Sequence, residues 1–303
     1  MLPIPPRKYN VCNGWDWFMS VEISVVMPAR NAGKFVRLAV RSTLLALPES
    51  SELIVVNDGS TDNTLSIISS IRDRRLRIIT GPSKGLVSAL NLGLSASTGT
   101  YVARMDADDI CLPWRFAAQV RKMTSNSEVD FLFSTAIAFG KPLRPFYMVP
   151  QLPWGLNPLM FQRILTRRNP AVHPTMIARA TALKSLGGYH DCPAEDEELW
   201  LRASLNHHKL ARIGIPGIAL RLHSGQTTRQ VKWQTSLKND SQVPLLRSQL
   251  LAASEEPAPP GKLFFRILDF FDANGFASAR LFVKTIPRLR FRRRRVGNVD
   301  NSE

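Results

Sequence analysis

The segment YVARMDADDICLP, residues 101–113, places three carboxylates, Asp106, Asp108 and Asp109, directly after an apolar run. Acidic residues often collect where strands end, because Asp side chains bond nearby backbone groups, so a solvated acidic turn is one interpretation. Side chains alternate along an extended segment, however, and Asp106 and Asp108 can therefore face the same way as two hard oxygen donors. That spacing makes a divalent-cation site the second interpretation.

Apolar runs and helical patterns alternate on the amino-terminal side of this segment. Strands are predicted at residues 23–27, 52–58, 76–80 and 100–106, and helices at residues 34–47 and 85–97, with a further helix ending at residue 71. Ser60 and Thr61 are candidate caps of that further helix. Such alternation favours parallel βαβ units, whose ligands lie beyond the carboxyl ends of the strands. Because Asp58 also ends a strand, we expect it at the same ligand site as the acidic cluster.

The pattern loosens from Val129 onward. Residues 140–158 carry several prolines and are expected to form a loop or a mobile cover, and a helix is expected after residue 193. The segment EEPAPPGK, residues 255–262, has the composition of a linker, and the residues after it are expected to form an appendage.

The net charge of +16 is concentrated near one end of the 303-residue chain. Residues 262–295 contain ten Lys or Arg and two Asp, a sum of +8, which is half of the total. A basic tail of this kind can bind nucleic acid or anionic lipid, and a high pI does not distinguish between these two partners. No apolar run approaches the roughly 20 residues that span a bilayer, and the first residues lack the apolar centre of a secretory signal, so a cytoplasmic protein is expected. Cys12, Cys111 and Cys192 lie too far apart for a zinc motif and are expected to be reduced thiols.

Strand-end carboxylates suggest a nucleotide and its metal. A carboxylate such as Asp58 or Asp106 can accept bonds from a base or ribose, whereas Asp108 would reach a diphosphate only through a cation, because direct approach is repulsive. No GxGxxG follows the first strand and no GxxxxGK[ST] occurs. A dinucleotide oxidoreductase and a P-loop phosphotransferase are therefore disfavoured.

Four consecutive acidic residues, Glu195 to Glu198, open the helix expected after residue 193. Their simplest role is to oppose the helix dipole, and the alternative is that mutual repulsion raises one pKa toward general-base duty. A lone histidine such as His173 or His223 is more often a structural residue than a ligand. His223 follows an apolar run and precedes small hydroxyl residues, so it is a candidate to close over phosphate or metal.

Taken together, the motifs resemble those of family 2 glycosyltransferases, in the branch that builds bacterial surface polysaccharides. The matching segments are SVVMPARNAGKFVRLAVRSTLLA, ELIVVNDGSTDNT, KGLVSALNLGLSASTGTYVARMDADD, NPAVHPTM, GGY and EDEELWLR, which occur in the family's order between residues 23 and 228. Each segment alone is weakly specific, and the combined set is highly specific. The chain departs from the family pattern at Asn57, where the first of two aspartates is usual, and residues before Met19 have no counterpart in the motif set.

Composition and spacing predict a carboxyl-terminal helical basic tail. The resemblance implies an α/β GT-A (Rossmann-like) fold, with a mixed, mostly parallel sheet flanked by helices. It implies a main domain at residues 21–254, with a nucleotide-binding half at 21–128 and an acceptor half at 129–254. Residues 1–20 would then be an extension, and residues 255–303 a linker and basic amphipathic tail.

The resemblance also implies inverting transfer of a sugar from a nucleotide donor to an acceptor hydroxyl. By match to the motifs, Asp58 would contact the base, Asp106 the ribose region, and Asp108 a Mn²⁺ or Mg²⁺ that bridges the diphosphate. Asp196 falls on the position of the catalytic base, and His223 is expected as a further metal ligand. The other residues expected to contact the nucleotide sugar are Pro28, Ala29, Asn31, Gly85 and Asn91.

The expected partners are a nucleotide-sugar donor, a saccharide or lipid-linked saccharide acceptor and, through the basic tail, the anionic inner face of the cell membrane. Two alternatives remain. A sugar-nucleotide pyrophosphorylase would carry a glycine- and arginine-rich loop after the first strand, of which MPARNAGKF is a poor version. A nucleic-acid-binding protein is suggested by the pI of about 10.5, but the basic residues lie outside the motif-bearing region and no nucleic-acid-binding motif accompanies them, so nucleic acid is not an expected partner.

Overall fold

The computed structural model describes residues 23–140, 147–148, 155–224, 235 and 240–254. The elements of the first half are β1 (Ile23–Ala29), α1 (Val36–Ala46), β2 (Glu52–Asn57), α2 (Thr64–Ser69), β3 (Leu76–Thr80), α3 (Leu86–Ala96) and β4 (Tyr101–Arg104). Those that follow are β5 (Ile110–Cys111), α4 (Arg115–Ser125), β6 (Phe131–Gly140), β7 (Tyr147–Met148), α5 (Pro158–Leu165), β8 (Ile177–Arg179), α6 (Ala180–Ser185), α7 (Glu195–Leu205), β9 (Leu210–Leu222) and α8 (Gln242–Ala253).

One mixed sheet runs through the described residues in the strand order β3-β2-β1-β4-β8-β6-β9-β5, with β7 paired to β6. The first four strands are parallel to one another, β8 is antiparallel to both β4 and β6, and β6 and β9 are again parallel. All seven residues of β1 are buried, because helices cover both faces of this part of the sheet. The α/β fold and the four predicted strands of the first half are confirmed.

Strand register places the residues of the predicted site at one edge of the sheet. Ala29 at the end of β1 lies opposite Asn57 at the end of β2, and Val26 lies opposite Arg104 at the end of β4. The chain then turns into β5, which pairs antiparallel with β9 through Ile110 and Ala219. That pairing carries the residues just before Ile110 alongside the carboxyl end of β9, which a search for local motifs does not reveal.

One local prediction was wrong, and a second was wrong in the part of its segment that the structure describes. The α2 helix begins at Thr64 after Asn63, and neither Ser60 nor Thr61 caps it, because both are used by the preceding loop instead. Residues 140–158 are not wholly loop, since Tyr147–Met148 pairs with β6 and α5 begins at Pro158.

Several predictions concern residues outside the described ranges. These are the extension before residue 21, most of the proline-rich segment, the linker at residues 255–262 and the basic tail. Among the helices that the structure describes, none combines the length and the apolar character needed to cross a membrane.

Candidate active site

The acidic turn, defined here as Asp106, Asp108 and Asp109, follows β4 at the carboxyl edge of the sheet. Each of its side chains offers an oxygen within 4.8 Å of the other two. Asp109 is 1% exposed, and its Oδ2 has no hydrogen-bond partner within the described residues. Burial, followed by the charges of Asp106 and Asp108, raises the pKa of the Asp109 carboxyl well above its usual value. Three crowded carboxylates of this kind can share one divalent cation.

The end of β9 holds the acidic turn in place. The main-chain N–H of Arg221 donates to Asp109 Oδ1 at 2.7 Å, and its Nε donates to the Asp108 carbonyl at 2.8 Å. His223 Nε2 lies 2.8 Å from Asp108 Oδ2, and the His223 ring packs 4.9 Å from the ring of Phe35. The structure therefore brings Asp108 and His223, which were predicted as metal ligands from distant parts of the sequence, into direct contact.

Arg104, the last residue of β4, is a buried cation beside the acidic turn. It is 5% exposed, and its Nη2 lies 2.6 Å from Asp106 Oδ1. Burial opposes the charge of the guanidinium, but its attraction to Asp106 is strong enough to raise the Arg104 pKa. The ion pair fixes one oxygen of Asp106 against the end of β4.

Asp58 is fixed by the backbone of two neighbouring loops. Its N–H donates to the Ala29 carbonyl at 2.9 Å, and its Oδ2 accepts the N–H of Gly85 at 2.8 Å. Gly85 has a φ of 99°, a conformation that residues with a side chain adopt only with strain. Asp58 Oδ1 is buried and has no hydrogen-bond partner among the described residues.

Asn31 joins the loop after β1 to the loop after β2. Its main-chain N–H donates to Ser60 Oγ at 3.1 Å, and its Oδ1 accepts the N–H of Thr61 at 2.8 Å. Pro28 and Ala29 precede it as the last two residues of β1. Ala29 contacts Asp58 directly, and the Asn31 contacts bring the loop after β1 against the loop that follows Asp58.

The side chain of Asn91 bonds the glycine-containing turn at residues 187–189, which lies between α6 and α7. Its Nδ2 donates to the Tyr189 carbonyl at 2.8 Å, and its Oδ1 accepts the Tyr189 N–H at 2.9 Å. Gly188 leaves room for this pairing, because a Cβ there would lie 2.6 Å from Asn91 Oδ1. The structure thus uses the Asn91 amide to dock the turn on α3.

Asp196 lies in the first turn of α7 and is held by two hydrogen bonds. Its Oδ2 accepts from Nδ2 of Asn169 at 3.0 Å, and its Oδ1 accepts from the N–H of Glu197 at 2.7 Å. Burial raises the pKa of Asp196, and the charge of Glu195 adds to the rise. A carboxylate with a raised pKa is a stronger proton acceptor, which is the property that a general base requires.

The other acidic residues of this helix start have structural partners. Glu197 pairs with Arg247 of α8. Glu198 is buried and accepts from Arg202 Nε at 2.8 Å and Nη2 at 2.9 Å. The first pair ties α7 to α8, and the second lies within α7. The helix-dipole interpretation therefore accounts for part of the acidic run and these ion pairs for the rest.

His173 is a buried structural histidine, as predicted. Its Nε2 lies 3.0 Å from the hydroxyl of Tyr189, and its Nδ1 lies 3.6 Å from Glu195 Oε1. Burial and the charge of Arg104 lower the pKa of His173 to about 3, so the ring is neutral at physiological pH.

Comparison with known proteins identifies the family. The model of "Glycosyl transferase family 2" matches residues 24–186. The chain belongs to this family. The enzyme is a glycosyltransferase, and the match disfavours both the pyrophosphorylase and the nucleic-acid-binding alternatives.

Curated relatives of this glycosyltransferase are also named as glycosyltransferases. The chain is 30% identical over 223 residues to the amylovoran biosynthesis glycosyltransferase AmsE of Erwinia amylovora, an alignment that covers 72% of this chain and 80% of AmsE. It is also 30% identical over 190 residues to the putative glycosyltransferase EpsE of Bacillus subtilis, covering 60% of this chain and 66% of EpsE.

Solved structures show that the glycosyltransferase has the GT-A fold. S. aureus TarS 1-349 in complex with UDP-GlcNAc superposes with a TM-score of 0.59 at 19% identity, covering 88% of this chain and 76% of that one. The mannosyltransferase PcManGT of Pyrobaculum calidifontis, solved with GDP-Man and Mn²⁺, superposes with a TM-score of 0.52 at 16% identity, covering 86% and 83%.

Sequence reasoning missed three residues of the glycosyltransferase site. In the sequence, Arg104 is one residue of a predicted strand, Asn169 begins a proline-containing turn, and Arg221 is one of many basic residues. The available signals were a charge at the end of an otherwise apolar strand and the Asn-Pro pair. Neither signal identifies the partner, which lies two positions from Arg104 and 27 positions from Asn169.

Proposed function

We propose that this glycosyltransferase moves a sugar from a nucleoside-diphosphate sugar to an acceptor hydroxyl, with inversion at the anomeric carbon. The observation that carries the proposal is the acidic turn at the end of β4, with His223 on Asp108 and the free oxygen of Asp58 on the same edge of the sheet. Asp58 would accept from the base and Asp106 from the ribose. Main-chain atoms near Pro28, Ala29 and Gly85 would complete the nucleotide contacts, while Asn31 keeps the two loops together.

The residues of the acidic turn fit a divalent cation. They supply several hard oxygen donors, and one of these, Asp109 Oδ2, is buried and lacks a hydrogen-bond partner among the described residues. Asp108 and His223 would hold the ion, and Mn²⁺ and Mg²⁺ both suit such donors. When bound, the ion would stabilise the charge that develops on the departing diphosphate. The fold relative PcManGT was solved with Mn²⁺.

Asp196 is the proposed general base. It would remove the proton of the acceptor hydroxyl as that oxygen attacks the anomeric carbon from the face opposite the leaving nucleotide. Asn169 and the Glu197 N–H each hold one carboxylate oxygen of Asp196, which fixes the orientation of the proposed base. A single displacement inverts the configuration, and no protein nucleophile is needed.

The proposed acceptor is a saccharide or a lipid-linked saccharide in the synthesis of a surface polysaccharide. Similarity to AmsE, which is named for amylovoran biosynthesis, supports this choice. The basic tail would add peripheral attachment to an anionic membrane surface, where lipid-linked acceptors are found.

A donor screen tests the proposal. The purified chain is incubated with a panel of UDP-, GDP- and dTDP-sugars in Mn²⁺, and release of nucleoside diphosphate is measured without and with saccharide acceptors. One nucleotide class should be hydrolysed well above background, and the Asp108→Asn variant should lose that activity. Release of inorganic pyrophosphate, or no donor turnover with any member of the panel, would contradict the proposal.

A further inference from the structure

Arg104 is an unusual residue for the end of a central strand, because a charged side chain is seldom buried so completely without full pairing. It is 5% exposed, and only its Nη2 has a partner among the described residues, Asp106 at 2.6 Å. Its Nε and Nη1 are buried and have no hydrogen-bond partner there.

Arg115 shows what a buried arginine with a purely structural role looks like in this fold. Its Nε donates to Gln119 at 3.1 Å, and its Nη2 donates to the main-chain carbonyls of Arg104 and Met176 at 2.8 and 3.2 Å. Arg104 makes no comparable set of contacts within the described residues. Hydrogen bonding therefore does not explain why a guanidinium is buried at this position.

The surroundings of Arg104 point to a role for its charge. Asp106 is bonded to it, and Asp108 and Asp109 belong to the same cluster of carboxylates. Its charge also acts on Glu195 at the start of α7, where it partly offsets the rise in pKa that burial causes. Arg104 thus touches the acidic turn directly and acts on the start of α7 through its charge.

We propose that Arg104 is a positioning residue that fixes Asp106 and sets the charge balance of the donor site. A positive charge beside three carboxylates weakens their attraction for a divalent cation and strengthens the attraction of the same site for a diphosphate. The enzyme therefore takes up the cation mainly together with the donor diphosphate. This inference rests on the proposed cation and diphosphate site.

The Arg104→Met variant of the full chain gives the test, because it replaces the guanidinium by a long uncharged side chain that suits a buried position. Binding of Mn²⁺ alone is measured from the electron paramagnetic resonance signal of the free ion. In the variant, this binding should become tighter by about tenfold. Binding of UDP or GDP, whichever the unaltered chain prefers, should become weaker by about tenfold at saturating Mn²⁺. Opposite changes in Mn²⁺ affinity and nucleotide affinity indicate an effect of charge. Simple loss of structure would weaken both affinities.

Two further variants serve as controls. Arg104→Lys retains the charge and should keep Mn²⁺ affinity within a few-fold of the unaltered chain. Arg179→Met removes the contacts of a different arginine, which donates to the main-chain carbonyls of Val129 and Met123, and should lower the melting temperature without changing Mn²⁺ affinity. If Arg104→Met does not fold, Arg104→Gln replaces it in the same assays.

The outcomes separate this inference from the function on which it rests. If the unaltered chain binds Mn²⁺ and Asp108→Asn does not, the cation site stands, and equal or weaker Mn²⁺ binding by folded Arg104→Met overturns the role of Arg104. If the unaltered chain binds no Mn²⁺, the proposed cation site fails and the role of Arg104 fails with it.

Discussion

The carboxylates of the acidic turn differ in their partners, and each difference predicts a different response to substitution. Asp106 is held by Arg104, Asp109 by the main chain of Arg221, and Asp108 by His223. Because Asp108 is partly exposed and bonds no core group through its side chain, it is the member of the turn that can be removed with least effect on the fold.

Substitution of Asp108 by Ala should abolish metal-dependent transfer while the fold is retained, since the residue is a proposed ligand and not a core element. Donor turnover with Mn²⁺ and the circular dichroism spectrum are measured side by side. Full activity in the variant, or undiminished activity of the unaltered enzyme in excess EDTA, would refute the metal assignment.

Substitution of Asp196 by Asn should lower kcat by about 10²–10⁴-fold while donor affinity stays near normal, because only proton removal is affected. The unaltered enzyme should also lose kcat on the acidic side. Burial raises the pKa of Asp196, so the carboxylate becomes protonated, and inactive as a base, at a higher pH than an ordinary Asp. Collapse of donor affinity in the variant would instead assign Asp196 to binding or structure.

Sequence motifs indicated candidate residues for this site, but they did not indicate the contacts between those residues. Asp108 and His223 were chosen from separate motifs, and their contact depends on the pairing of β5 with β9, which involves residues more than a hundred positions apart. Asn91 was expected at the nucleotide, and its amide instead docks the turn at Tyr189. A residue type in a motif shows that a position is constrained, and only the tertiary structure shows by what.

At the scale of single elements, α7 shows how one acidic run serves several purposes. Asp196 faces Asn169, Glu197 reaches α8, and Glu198 pairs with Arg202 four residues later on the same helix. Helix-dipole arguments apply equally to all of these residues and therefore could not distinguish them in the sequence. A similar limit affected α2, where Ser60 and Thr61 have the chemistry of caps but bond the Asn31 loop.

The partners within α7 predict which carboxylate stabilises the fold. Replacing Glu198 by Ala should lower the free energy of unfolding by about 3–5 kcal/mol, because it leaves the largely buried Arg202 without its counter-charge. The control is Glu49→Ala, which removes an exposed pair with Arg74 and a 3.6 Å contact with Arg75, and it should cost about 0–1 kcal/mol because Arg75 keeps its pair with Asp73. Urea denaturation of both variants measures the difference, and equal losses would show that burial does not decide the effect.

At the scale of the whole molecule, the first half of the chain was predictable and the second half was not. The βαβ units of β1 to β4 follow from local alternation of apolar runs and helical patterns. The sheet then continues through β8, β6 and β9, whose order differs from their order in the chain and depends on distant pairings. Periodicity indicates that a segment is a strand, but it does not indicate its neighbour.

The basic tail is the largest feature of the sequence that lies outside the described residues. Phe264, Ile267, Leu268 and Phe271 recur at helical spacing, and six arginines follow from Arg288 onward. An apolar helical face can enter the headgroup boundary of a bilayer, while each nearby Arg adds about 1 kcal/mol of attraction to an anionic surface. The alternative is a helix packed on the catalytic domain with a solvated basic end, in which the apolar face is not available to a bilayer.

Truncation before Lys262 distinguishes these roles of the tail. Loss of a membrane anchor should release the enzyme from anionic vesicles and slow transfer to a lipid-linked acceptor, while donor hydrolysis continues at its former rate because the proposed site lies within residues 23–223. A full-length variant with Gln at the six terminal arginine positions keeps the apolar face and should lose only the salt-sensitive part of vesicle binding. Two outcomes would show that the tail is not a membrane anchor. Either the truncated enzyme still sediments with anionic vesicles, or the full-length enzyme does not bind them at low salt.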